Sequence, residues 1–167
     1  MNFPSSSVFK FVGAAILALV LLAATPTTAR AQMGTGFGVR AGVSAGPDQF
    51  HFGAHYDTGP LVDRLSFRPN LEVGLGDNLT TIAANFEFAY WFPIKRKPWA
   101  VYVGGGPALI ISSFDVPVDN RHGGNTDTEP GFNLLVGLAH THGFFAEAKL
   151  GLIDSPEAKF TVGYTWR

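Results

Sequence analysis

The chain of 167 residues contains no cysteine. That excludes a disulfide framework, a thiolate metal site and a lipid anchor built on an amino-terminal cysteine. Charge is sparse: 12 basic and 13 acidic residues give a formal net charge of −1. Nucleic-acid binding needs a basic patch or stripe, so nucleic acid is not an expected partner. After residue 32 no stretch keeps a helical period, and 19 of the chain's 20 glycines and 9 of its 11 prolines lie there and leave little room for one. An exported protein without disulfides has to find its stability in a good core or in a membrane.

The one long apolar run lies at the amino terminus. Lys10 precedes "FVGAAILALVLLAA", an uncharged stretch of 14 residues, and Ala29-Arg30-Ala31 follows as a small-x-small cleavage pattern. This is the layout of a secretory signal peptide cut before Gln32. A spanning helix needs about 20 apolar residues, and this run falls short. The expected organisation is therefore a signal peptide over 1–31 and one domain over 32–167. Removing Lys10 and Arg30 with the leader leaves a formal charge of −3.

What the remainder does have is period-two alternation. Runs over 36–45, 50–56, 65–75, 80–92, 99–113, 132–140, 144–152 and 159–166 each set one apolar face against a polar or glycine-rich one. Phe86-Glu87-Phe88-Ala89-Tyr90-Trp91-Phe92 shows the pattern most sharply, with a carboxylate between two phenylalanines. Eight such runs, mostly long enough to cross a bilayer when tilted, predict an all-β fold. The architecture expected is an eight-stranded antiparallel up-and-down transmembrane β-barrel. Segment 115–130 is expected to be a long polar loop, and Pro69 and Pro107 to mark bulges.

The two faces carry different chemistry. With both termini at one end of the barrel, the strand ends there hold Phe37, Tyr56, Phe67, Tyr90, Phe92, Trp99, Phe144, Tyr164 and Trp166. Tyrosine and tryptophan crowd that rim, as they do at the headgroup level of a membrane. It is the expected periplasmic side, which puts the long loop outside the cell. On the other face Arg40, Arg68, Glu72, Glu87, Glu147, Lys149 and Lys159 fall in one narrow band. Isolated buried charges are costly, so these should pair. An eight-stranded barrel is just wide enough for its side chains to fill, which predicts a lumenal ion network and not an open pore.

These features resemble the small outer-membrane β-barrel proteins of the OmpA/OmpX-like superfamily, the "outer membrane protein β-barrel domain" or porin family. The resemblance is carried by "GFGVRAGVS", "FRPNLEVGLGDN", "YVGGGPAL" and the closing "KFTVGYTWR". It implies a bacterial outer-membrane location, contact with outer-membrane lipid and lipopolysaccharide, a monomeric state, and recognition of the carboxy-terminal strand by the assembly machinery. Family barrels often end in an aromatic residue. Here Trp166 is penultimate and Arg167 last, while Phe160, Val162, Tyr164 and Trp166 keep the spacing. The peptidoglycan-binding domain of longer relatives is not expected here.

Candidate chemistry is thin. His51 and His55 share a strand face at about 13 Å, too far to chelate one metal together. His140 and His142 are better spaced but lack a third ligand, so no metal or cofactor is expected. Lipid A deacylases and palmitoyltransferases are also eight-stranded barrels. The deacylases carry a His-x-Ser pair on a late strand, and no such pair occurs in this chain. The chain is therefore expected to be non-enzymatic, with a structural or interaction role through its extracellular loops. The alternatives are a narrow channel for small solutes, a lipid A-modifying enzyme, and a soluble lipocalin-like barrel. The last would put Phe86, Phe88 and Leu150 inside.

Overall fold

The computed structural model describes residues 34–95, 97–118, 121–153 and 156–167. The signal-peptide reading of 1–31 lies outside them. Nine strands follow in sequence: β1 (Gly36–Ala45), β2 (Gln49–Asp57), β3 (Pro60–Val62), β4 (Leu65–Gly76), β5 (Leu79–Pro93), β6 (Trp99–Val118), β7 (Arg121–His140), β8 (Phe144–Ile153) and β9 (Ala158–Trp166). Each long strand pairs antiparallel with its sequence neighbours, and β1 also pairs with β9. The short β3 is a flap on the edge of β4, so β2 pairs directly with β4 and closes an eight-stranded barrel. Closure leaves no free edge around the wall.

Alternation decides what each strand shows to either side. On β5, Phe86, Phe88 and Tyr90 face outward, while Asn85, Glu87, Ala89 and Trp91 are buried in the lumen. The barrel is consequently inverted relative to a soluble core. Phe37, Phe50, Phe160 and Val162 are 55, 53, 68 and 61% exposed, whereas Arg68, Glu72, Glu87 and Lys149 are at most 1% exposed. Phe86, Phe88 and Leu150 point outward, against the soluble alternative.

Three expectations need correcting. Segment 115–130 is not a loop: β6 and β7 continue as a paired ribbon from Trp99↔His140 to Val118↔Arg121. This ribbon runs past the end of β5, whose last pair with β6 is Leu79↔Phe114. Residues 119–130 include no large apolar side chain, so the period-two hydrophobic signal is missing there. Second, Pro69 and Pro107 do not mark bulges. Pro69 pairs in register with Phe86, just beyond the last β2–β4 pair, His55↔Asn70, and Pro107 pairs in register with Phe132. The irregularities fall instead at Phe132/Asn133 and between Pro60 and Val62. Third, β3 lies within a segment read as a connection, because three exposed residues carry no alternation to detect.

Candidate functional site in the barrel lumen

Going round the wall, the order β1-β2-β4-β5-β6-β7-β8-β9 sets β4 and β8 on opposite sides. These two strands supply half of the buried charge, in complementary order: Arg68 and Glu72 from β4, Glu147 and Lys149 from β8. Two ion pairs span the lumen between them. Arg68 Nη1 meets Glu147 Oε2 at 3.0 Å, and Lys149 Nζ meets Glu72 Oε1 at 3.1 Å.

The remaining charges tie into this pair of crossbars. Arg40 donates to Glu72 at 3.0 Å and reaches Glu147 at 3.4 Å. Lys159 donates to the second oxygen of Glu72 at 2.9 Å. Glu87 contacts Lys149 at 2.6 Å and accepts from Asn70 Nδ2 at 2.8 Å. All seven residues expected in the lumenal network are buried there and joined to one another. Multiple charge-assisted bonds per ion are what make burial of such a cluster tolerable, since each ion loses several kcal/mol of hydration.

The sequence reading missed an eighth member. Asp57, at the end of β2, is fully buried and lies 3.6 Å from Arg68 Nε and 3.9 Å from Arg167 Nη2. It is the first residue of "DTGPLVD", the segment between the runs over 50–56 and 65–75, which hid its inward phase, though that phase follows from His51, Gly53 and His55 on the same face. With Asp57 the buried carboxylates Asp57, Glu72, Glu87 and Glu147 balance Arg40, Arg68, Lys149 and Lys159. An amide relay was also missed. Asn133 Nδ2 donates to Asn85 Oδ1 at 2.9 Å, and Asn85 Nδ2 donates to Asn70 Oδ1 at 2.8 Å. Asn70 in turn serves Glu87, so the chain of donors ends on a carboxylate.

The lumen is not polar throughout. Towards the end that holds Phe37 and Trp166, the rings of Trp91, Tyr102 and Phe145 fill it with Ala89, Ala100, Leu135 and Ala139. Trp91 and Tyr102 stack at 4.7 Å between centroids, and Trp91 Nε1 donates to Ser66 Oγ at 2.8 Å. Arg68 lies against all three rings, 4.7 Å from Tyr102, 5.4 Å from Phe145 and 5.8 Å from Trp91. Cation–π contact of this kind is strongest where water is absent. Tyr102 also donates to Glu147 at 2.8 Å, linking plug to network.

Glycines opposite the rings make the plug possible. Gly137 pairs with Tyr102, Gly38 with His55 and Gly163 with Phe145. A Cβ built on each would collide with the opposing ring. These lumenal glycines are therefore filled by their neighbours' side chains and are not cavities.

His51 and His55 sit inside, each against a threonine: His51 Nε2 is 3.0 Å from Thr161 Oγ1, and His55 Nε2 is 2.9 Å from Thr165 Oγ1. His140 lies on the outer face, edge-on to Trp99 at 4.6 Å and to His142 at 4.8 Å. No group of three metal-ligating side chains occurs among the described residues.

The nine aromatics expected at one rim are all on the outer face at that end, and several touch. Phe37 pairs in register with both Tyr56 and Trp166. Phe144 and Tyr164 are 4.9 Å apart, Tyr164 and Trp166 5.2 Å, and Tyr90 and Phe92 5.1 Å. Phe67 stacks on Phe88 at 5.0 Å, while Trp99 reaches His140.

No protein-family model matches the chain, and no curated protein does. Solved structures that share its architecture include two outer-membrane barrels. The N-terminal β-barrel domain of Pseudomonas aeruginosa OprF is 17% identical, with a TM-score of 0.59, covering 81% of this chain and 98% of that one. Neisserial surface protein A (NspA) is 14% identical, with a TM-score of 0.58, covering 78% and 94%. At these identities the likeness is one of fold: the chain forms the same closed antiparallel barrel as these two outer-membrane proteins.

Proposed function

We propose that this chain is a bacterial outer-membrane barrel whose lumen is a sealed, ion-paired core, and whose role is structural or interactive through the β6–β7 ribbon. The inversion of its faces carries the reading. Phenylalanine and valine side chains more than half exposed would aggregate in water, while a hydrocarbon surround suits them. The strands of 9 to 20 residues are long enough to cross. The aromatic rim then lies at the periplasmic headgroup level, and the ribbon reaches outside the cell.

The plug and the network favour a closed barrel over the narrow-channel alternative. Trp91 and Tyr102 are 0% exposed, and the charges beyond them are bound to each other. Planar-bilayer recording on the inserted protein tests this: silence is expected, and steady openings of constant amplitude would overturn it. We further propose that the barrel is not an enzyme. The His51–Thr161 and His55–Thr165 pairs are 1 to 2% exposed inside the wall, where no lipid reaches them. Release of fatty acid from lipopolysaccharide by the purified barrel would contradict that. The proposed partners are outer-membrane lipid, including lipopolysaccharide, and the assembly machinery. The latter would recognise the outward line Phe160, Val162, Tyr164 and Trp166 of β9, with the barrel acting as a monomer.

A further inference from the structure

We infer that the aromatic rim is also a binding surface for anionic phospholipid headgroups of the leaflet it faces. The inference rests on the membrane reading above. It starts from where charge remains once the balanced lumen is set aside.

At the rim, the turn before β4 carries Arg64 and the turn between β5 and β6 carries Lys95 and Lys97, while Arg167 after β9 turns its guanidinium to Asp57 at 3.9 Å. Asp63 is the one acid in those turns among the described residues. At the opposite end the signs reverse. Asp48, Asp77, Asp127, Glu129 and Glu157 are all exposed in turns or on the ribbon, where Arg121 is the only lysine or arginine among the described residues. The barrel is thus basic at one mouth and acidic at the other.

Backbone bonds fix the basic turns against the aromatic ring. Trp91 N–H donates to the Arg64 carbonyl at 3.0 Å, which holds that turn beside the end of β5. Ile94 N–H donates to the Trp99 carbonyl at 3.0 Å, and Thr141 N–H to the Pro98 carbonyl at 2.8 Å. The Lys95–Lys97 turn is thereby joined to the next turn round the rim. There, a recess of about 340 Å³ is lined by Thr141, His142, Tyr164, Thr165, Trp166 and Arg167. It combines hydroxyls and a guanidinium with two rings of the girdle.

Tyrosine and tryptophan settle at the headgroup level, so cations just beyond them stand beside lipid phosphates. Each lysine or arginine near an anionic membrane surface adds attraction that fades within a Debye length. The acidic mouth repels the same headgroups, so the preference belongs to one leaflet.

The test uses the full chain folded into phosphatidylcholine vesicles containing phosphatidylglycerol, with spin-labelled forms of each lipid reporting which one contacts the barrel. Phosphatidylglycerol should associate at least ~2-fold more strongly than phosphatidylcholine, and R64Q/K95Q/K97Q or high salt should bring the ratio close to unity. Millimolar inorganic phosphate should leave the ratio unchanged; its loss would mean a free-phosphate site and overturn the headgroup assignment. Equal association in the wild-type chain, or a preference that survives in the variant, would overturn it too. Failure of the chain to insert into any vesicle would instead overturn the membrane reading, and this inference with it.

Discussion

Lys149 and Lys159 stand directly opposite each other on β8 and β9, and one carboxylate from the β4 wall, Glu72, holds both. Like charges facing across a strand pair repel. Glu72 converts that conflict into a tie, with one oxygen for each ammonium at 3.1 and 2.9 Å and Arg40 on the first oxygen at 3.0 Å.

Glu72→Gln should therefore be the most damaging single change in the network. It leaves three buried cations short of a counter-charge, and breaking a buried pair in this way costs ~3–5 kcal/mol. Adding Lys159→Gln should recover part of the loss, because one of the opposed charges is gone. Urea unfolding of the two single variants and the double variant measures the coupling. Purely additive losses would show that Glu72 does not bridge the lysines.

Glu87→Leu should destabilise the barrel less than Glu72→Gln. Lys149 keeps Glu72 at 3.1 Å and Glu147 at 3.6 Å, while Asn70 loses its acceptor. A lowered thermal midpoint, smaller in size than that of Glu72→Gln, is the expected result. An unchanged midpoint would remove Glu87 from the network.

Gly137→Val should prevent folding, since its side chain would enter the space of the Tyr102 ring. Adding Tyr102→Ala frees that space and should restore part of the folded yield, seen as the heat-modifiable band in electrophoresis. A Gly137→Val chain that folds as well as the wild type would refute ring-over-glycine packing.

Most of the barrel is legible in the sequence because each strand separates two unlike surroundings. Phe86, Glu87 and Phe88 assign both sides of β5 within three residues, and the same phase puts Arg68, Glu147 and Lys149 inside. What alternation does not give is stagger. That Lys149 faces Lys159, or that Arg68 reaches Glu147 across the lumen, depends on register around the whole closed wall. The β6–β7 ribbon is illegible for the opposite reason: over 119–130 no large apolar residue marks one face against the other. Asp57 is masked because it begins the segment between two runs. The ring plug sat in the inward phase all along, at Trp91, Tyr102, Leu135 and Phe145, but its packing needs the glycines opposite, which only the register identifies.

The inverted arrangement of faces is the central claim, and the three tryptophans test it directly. Trp99 and Trp166 lie on the outer rim, and Trp91 is enclosed in the lumen. In vesicles of brominated phosphatidylcholine, chains keeping only Trp99 or only Trp166 should lose much of their fluorescence to quenching, and the W99F/W166F chain should lose little. Strong bromine quenching of Trp91, with Trp99 and Trp166 spared, would contradict the account.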